Sequence, residues 1–183
     1  KKDDGHKHKE GDGHKHGSAP TPEQMQEHME MMKMATPGPQ HAKLKEMVGT
    51  WNTETKLWMG PEGEPSVAKG VSVFTMILGD RYLQEDFTSD FMGMEFKGRG
   101  MTGFDNAKQK CVSTWCDNMG THMMTFEGTY DEATKTTTLK GETQMTPTKK
   151  AQMRIVEKRI DKDTCLMQMY ITEAGAKEFK NME

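Results

Sequence analysis

From Trp51 onward the chain changes character every second residue: Trp51, Thr53, Thr55, Leu57 and Met59 take one parity, and Asn52, Glu54, Lys56 and Trp58 the other. Side chains of an extended strand point to opposite faces in turn, so this alternation calls for a strand with one covered face. The pattern recurs almost to the end. Strands are expected around Val67 to Leu78, Tyr82 to Thr88, Met94 to Phe104, Lys110 to Asp117, Thr121 to Tyr130, Thr136 to Thr143, Ala151 to Ile160 and Cys165 to Thr172. Short polar connections join them, among them Asp105-Asn106-Ala107-Lys108, Asp117-Asn118-Met119-Gly120, Asp131-Glu132-Ala133-Thr134 and Asp161-Lys162-Asp163. Asp and Asn tolerate tight-turn dihedrals, so consecutive strands form hairpins and the whole a meander. About nine strands in a meander leave two open edges, and closing the sheet on itself removes both. The expected fold class is all-β, a single antiparallel up-and-down barrel, with a two-sheet sandwich as the alternative.

What precedes Trp51 is of another kind. Residues 1–20 contain almost nothing apolar and repeat His6-Lys7-His8 as His14-Lys15-His16, so they are expected to form a disordered His-rich leader. Thr21-Pro22-Glu23-Gln24 then supplies an N-cap, a proline at the first helical position and a glutamine for a capping box. Met25, Met29 and Met32 follow at helical spacing until Thr36-Pro37-Gly38-Pro39, and a second short helix carries Leu44, Met47 and Val48 up to Gly49. The organisation expected is a leader over 1–20, a Met-rich helical segment over 21–48 and a barrel over 49–183. Helix is expected before Gly49 and, as the one other place, after Thr172.

Composition narrows the function. Net charge is only −3, with basic and acidic residues interspersed, so no basic stripe exists to displace counterions and nucleic acid is not an expected partner. No apolar run reaches the roughly 18–20 residues of a membrane span. The opening at Lys1, without an initiator Met, reads as a mature exported protein, periplasmic or at the cell surface. Its polar start resembles the stretch behind a lipidated cysteine, so a lipid anchor is part of that expectation. Cys111, Cys116 and Cys165 are odd in number and form no Cys-x-x-Cys, which establishes no disulfide framework.

The string His41-x-x-Leu44-x-x-Met47-x-Gly49-x-Trp51, with Gly79-Asp80-Arg81-Tyr82-Leu83, Gly98-x-Gly100-x-x-Gly103-Phe104-Asp105 and Trp115-x-Asp117-x-x-Gly120, resembles domain-of-unknown-function family 1579. The resemblance covers nearly everything after the leader and implies a lipocalin-like barrel, in which a Gly-x-Trp such as Gly49-Thr50-Trp51 opens the first strand and its tryptophan plugs one end. It implies no function. Related haem-binding barrels, the nitrobindins, use a histidine near the C-terminus, whereas the last histidine here is His122.

Function is therefore expected to be binding. A small, largely apolar ligand in the barrel would meet Tyr82, Phe96, Trp115, His122, Met124 and Phe126, aromatics and a few polar groups of the kind that line ligand cavities. The alternative is extracytoplasmic handling of Zn or Cu by the leader with the barrel as scaffold. His6, His8, His14 and His16 supply imidazoles, while Met25, His28, Met29 and Met32 add soft thioethers that favour Cu(I). An enzyme is the third reading; Cys116 and His122 are its only nucleophile and base candidates, and no third group orients them. Asp105 and Asp117 are expected to cap turns and nothing more.

Overall fold

The computed structural model describes residues 19–91 and 93–183. They separate into two units with the break between Lys33 and Met34. Helix α1 (Pro22–Ala35) opens with the expected capping box: Thr21 N–H donates to Gln24 Oε1 over 2.8 Å, and Gln24 N–H donates to Thr21 Oγ1 over 3.2 Å. Helix α2 (Pro39–Leu44) runs into a single 3-10 turn at Lys45–Met47. Its start is held by the Gly38 N–H, which donates to His41 Nδ1 over 3.0 Å.

Ten strands then form one closed antiparallel barrel: β1 (Gly49–Leu57), β2 (Ser66–Ile77), β3 (Tyr82–Phe91), β4 (Met94–Asp105), β5 (Lys110–Asp117), β6 (Met124–Asp131), β7 (Thr136–Thr146), β8 (Lys149–Arg159), β9 (Cys165–Glu173) and β10 (Phe179–Met182). Each strand pairs with the next in sequence, so the meander is as expected. The strand beyond the expected nine is β10, placed where a terminal helix had been the other option. Its physical reason is the seam. Without it β1 and β9 would expose unpaired backbone; instead Lys56 N–H donates to the Glu183 carbonyl over 2.8 Å, Trp58 N–H to that of Asn181 over 2.9 Å, and Glu183 N–H to that of Lys56 over 2.9 Å.

The turns behave as their composition requires. Asp105 Oδ1 accepts from Ala107 and Lys108 N–H, Asp131 Oδ1 from Ala133 and Thr134 N–H, Asp117 Oδ1 from Met119 N–H and Asp161 Oδ1 from Asp163 N–H. The connection between β2 and β3 places Leu78, Gly79 and Asp80 in succession at positive φ (52°, 66° and 63°).

The apolar core is lopsided. Phe126 on β6, Leu139 on β7, and Met153 and Ile155 on β8 form one buried cluster, with Cys111, Trp115, Met124, Met167 and Met169 packed against it.

Candidate binding site in the barrel lumen

Inner and outer faces are set by strand parity. On β8, Ala151, Met153 and Ile155 are buried, so Glu157 and Arg159 continue the inner row, while Arg154 lies outside against Glu178 and Tyr170. On β3 the buried Leu83 assigns Glu85 and Phe87 to the inner row, and Asp86, ion-paired with Arg99, to the outer. Residue pairing carries this assignment around the barrel. Inner rows include Ser72 on β2, Gly98, Gly100 and Thr102 on β4, Cys111, Ser113 and Trp115 on β5, and Met167 and Met169 on β9.

One end of the barrel is crossed by α2 and the turn after it. The buried His41 meets inner-row Phe104 edge-on with centroids 6.1 Å apart, and Lys43 Nζ stands 4.4 Å from the centre of the Tyr130 ring at the end of β6. Trp51 opens the inner row of β1, donating from Nε1 to the Met47 carbonyl over 2.8 Å, with the Arg159 guanidinium 5.0 Å from its ring centre. Arg159 itself donates to Met47 Sδ over 3.0 Å and to the Lys162 carbonyl over 2.5 Å. The indole thus sits at the closed end, the place implied by Gly49-Thr50-Trp51.

Beyond this plug the inner face is only partly buried. Eight apolar side chains are buried among the described residues, and inner-row Trp115, Met124, Met167 and Met169 keep part of their surface accessible. A packed core would leave no such surface. Two carboxyls stand in this space. Glu85 Oε1 accepts from the buried Ser72 Oγ over 2.6 Å. Glu157, reaching in from the other wall, has no hydrogen bond or ion pair among the described residues. Desolvation by the surrounding wall, assisted by the charge of Glu85, pushes its carboxyl up to about 7, although the side chain is exposed to solvent. Burial also raises Glu85, against the donor from Ser72. Thr53 Oγ1, on the inner row of β1, is buried without a partner.

The aromatic part of the lumen is built on glycines. The Trp115 ring lies over Gly98 and Gly100: a Cβ on Gly98 would fall 2.1 Å from Cζ2, and one on Gly100 would fall 3.2 Å from Cε3 and 3.5 Å from Glu85 Oε2. The indole and the free oxygen of Glu85 therefore meet above one glycine. Trp115 Nε1 donates to Asp117 Oδ2 over 3.0 Å, which fixes the ring. Phe87 lies 6.3 Å from Trp115 and 5.7 Å from Phe96, centroid to centroid.

Of the candidate ligand-binding residues, Phe96, Trp115, Met124 and Phe126 stand on the inner face. Tyr82 does not. Its register partner is Gly103 on the outer row, where a Cβ would lie 2.6 Å from Tyr82 Cδ1. His122 also differs from its expected placement: β6 begins at Met124, so His122 is an exposed loop residue whose Nε2 lies 3.4 Å from Thr143 Oγ1. The cause is Asn118, which accepts from Lys97 N–H and donates to the carbonyls of Glu95 and Lys97, extending the edge of β4 past β5 and delaying the next strand. Cys116 is on the outer parity of β5 and its Sγ meets the Arg99 carbonyl. Burial pushes the thiols of Cys111 and Cys165 upward, which keeps both neutral.

Of the candidate metal ligands, His6, His8, His14 and His16 lie outside the described residues. Met25, Met29 and Met32 are about half exposed on α1 (48%, 59% and 55%), and Met25, His28 and Met29 line one small depression on that helix. Among the described residues no three His, Cys, Asp or Glu side chains gather as a metal site, and no helix is long and apolar enough to cross a membrane.

The residues missed by sequence reasoning are Glu85, Glu157 and Ser72. A signal for Glu157 exists in the chain, since it extends the apolar parity Ala151, Met153, Ile155 by one charged member. Comparison with known proteins returns a family described as proteins of unknown function, DUF1579, whose profile matches residues 36–183. No curated protein matches the chain.

Proposed function

The chain belongs to the DUF1579 family, and from its interior we propose that the barrel is a binding module holding one small, largely apolar ligand in the lumen. The observation that carries this reading is the partly accessible inner face, where Trp115, Met124, Met167 and Met169 are not fully buried and Glu157 is exposed. A barrel of about eight strands is just wide enough to fill with side chains or to take one small molecule; this one has ten. Aromatic walls with a few polar groups are what such cavities use.

The test is titration with N-phenyl-1-naphthylamine, a neutral apolar dye whose emission rises out of water. Saturable binding is expected, lost when Ser113→Trp fills the lumen from the middle of β5. A folded Ser113→Trp protein that binds the dye as tightly as its parent would overturn the reading.

A second reading, metal handling by the N-terminal segment of an exported protein, is supported by the exposed thioethers of Met25, Met29 and Met32. Cu(I) held by them persists in acid, because thioethers carry no competing proton, whereas Zn or Cu(II) on His6, His8, His14 and His16 is lost below the histidine range of about 6.5. A quadruple alanine replacement of those histidines that leaves Zn binding unchanged would remove the leader from this role.

A further inference from the structure

We propose that the ligand of the lumen carries a cationic nitrogen on its apolar body, and that this head group sits between Glu85 and Glu157 beside the Trp115 ring. The proposal rests on the reading that the lumen binds a ligand, and it names the chemistry of that ligand.

Three placements converge on it. Glu157 stands on the inner row of β8, exposed to solvent and without a donor among the described residues. Glu85 uses Oε1 for Ser72 and leaves Oε2 over Gly100, where the face of Trp115 begins. A carboxylate beside an indole face suits an alkylammonium, which gains an ion pair and a cation–π contact at once. An anionic ligand would be repelled by both glutamates.

Among the described residues, the charged and titratable neighbours supply no such cation. From β3 comes Glu85, from β5 Cys111 and Asp117, from β9 Cys165, and from β2 only the Ser72 hydroxyl; the thiols are neutral and Asp117 is engaged by Trp115 Nε1. Arg159, the inner-row cation of β8 among the described residues, is turned toward the α2 end, with its guanidinium on Met47 Sδ, the Lys162 carbonyl and Cys165 Sγ. Glu157 titrates at about 7 without ligand, so a cation should bind best above that pH and release a bound proton as it enters below it.

The experiment compares decylamine, decanol and decanoate by calorimetry on the whole protein, near pH 8 and near pH 5.5. Decylamine should bind about tenfold or more tighter than either chain-matched analogue at the higher pH, a gap of the size one charge-assisted contact supports. The preference should shrink at the lower pH and vanish in a Glu85→Gln, Glu157→Gln double variant, whose fold is checked by circular dichroism. If decanol or decanoate binds as tightly as decylamine, the cation proposal is overturned while the lumen remains a ligand site. If none of the three binds and the neutral dye also fails, the lumen reading falls and this proposal with it. Should the double variant fail to fold, Glu157→Gln alone must abolish most of the amine preference, and an unchanged preference there overturns the proposal equally.

Discussion

Trp115 occupies the space that a side chain at position 98 would need, since a Cβ on Gly98 would lie 2.1 Å from Cζ2 and 2.6 Å from Cη2 of the indole. The ring is rigid and tied to Asp117, so it cannot yield by rotating a flexible end. Gly98→Ala is therefore expected to push the indole into the lumen and to destabilise the fold by about 1–3 kcal/mol, the usual cost of overpacking. Near-ultraviolet circular dichroism and a denaturant melt read both effects. An unchanged tryptophan spectrum would mean that the indole does not rest on β4.

Stability should depend on pH through Glu157. Its folded carboxyl titrates at about 7, above the usual carboxylate value of 4.5, so the folded state holds a proton that the unfolded state has released between those values. Stability accordingly falls as pH rises from about 4.5 to 7 and stays low beyond it. The carboxyls held low by their partners, such as Asp86 beside Arg99 and Glu127 beside Lys108, act below that window. Glu157→Gln should raise stability near pH 8 by about 1 kcal/mol, well short of a dehydrated value because solvent reaches the group, and change it little near pH 5. Thermal melts of parent and variant at the two pH values decide it.

Arg159 joins three parts of the closed end: the Trp51 ring, the Met47 side chain and the Lys162 carbonyl. Arg159→Ala removes a cation–π contact and a charge-assisted hydrogen bond, for an expected loss of about 1–3 kcal/mol. Hydrogen exchange should show the largest gain at Lys45–Met47 and the start of β1. Uniform exchange across the barrel would contradict a local plug.

Removing Phe179 to Glu183 should cost more than its five residues suggest. The backbone bonds from Lys56 and Trp58 to this segment close the barrel, and without them β1 and β9 become bare edges open to other chains. Concentration-dependent association, measured by sedimentation, is the expected outcome. A truncated protein that stays monomeric with unchanged melting would show that the seam closes by other means.

The chain by itself determined the barrel, because alternation and hairpin chemistry are local: each Asp that caps a turn is read by backbone N–H groups two or three residues away, and the parity of Trp51, Thr53 and Thr55 needs no distant partner. It also placed Phe96, Trp115, Met124 and Phe126 on one side of their strands. Only tertiary structure decided which parity faces inward at Tyr82, whose ring was as good a lumen candidate as Phe96 until Gly103 opposite it fell on the outer face. Only closure set Glu85 and Glu157, 72 residues apart in the chain, on one inner face, where the charge of the first acts on the second; a glutamate in a strand by itself shows no such partner. The tenth strand was likewise invisible locally, because Phe179–Met182 is a strand only by virtue of the two unpaired edges it fills.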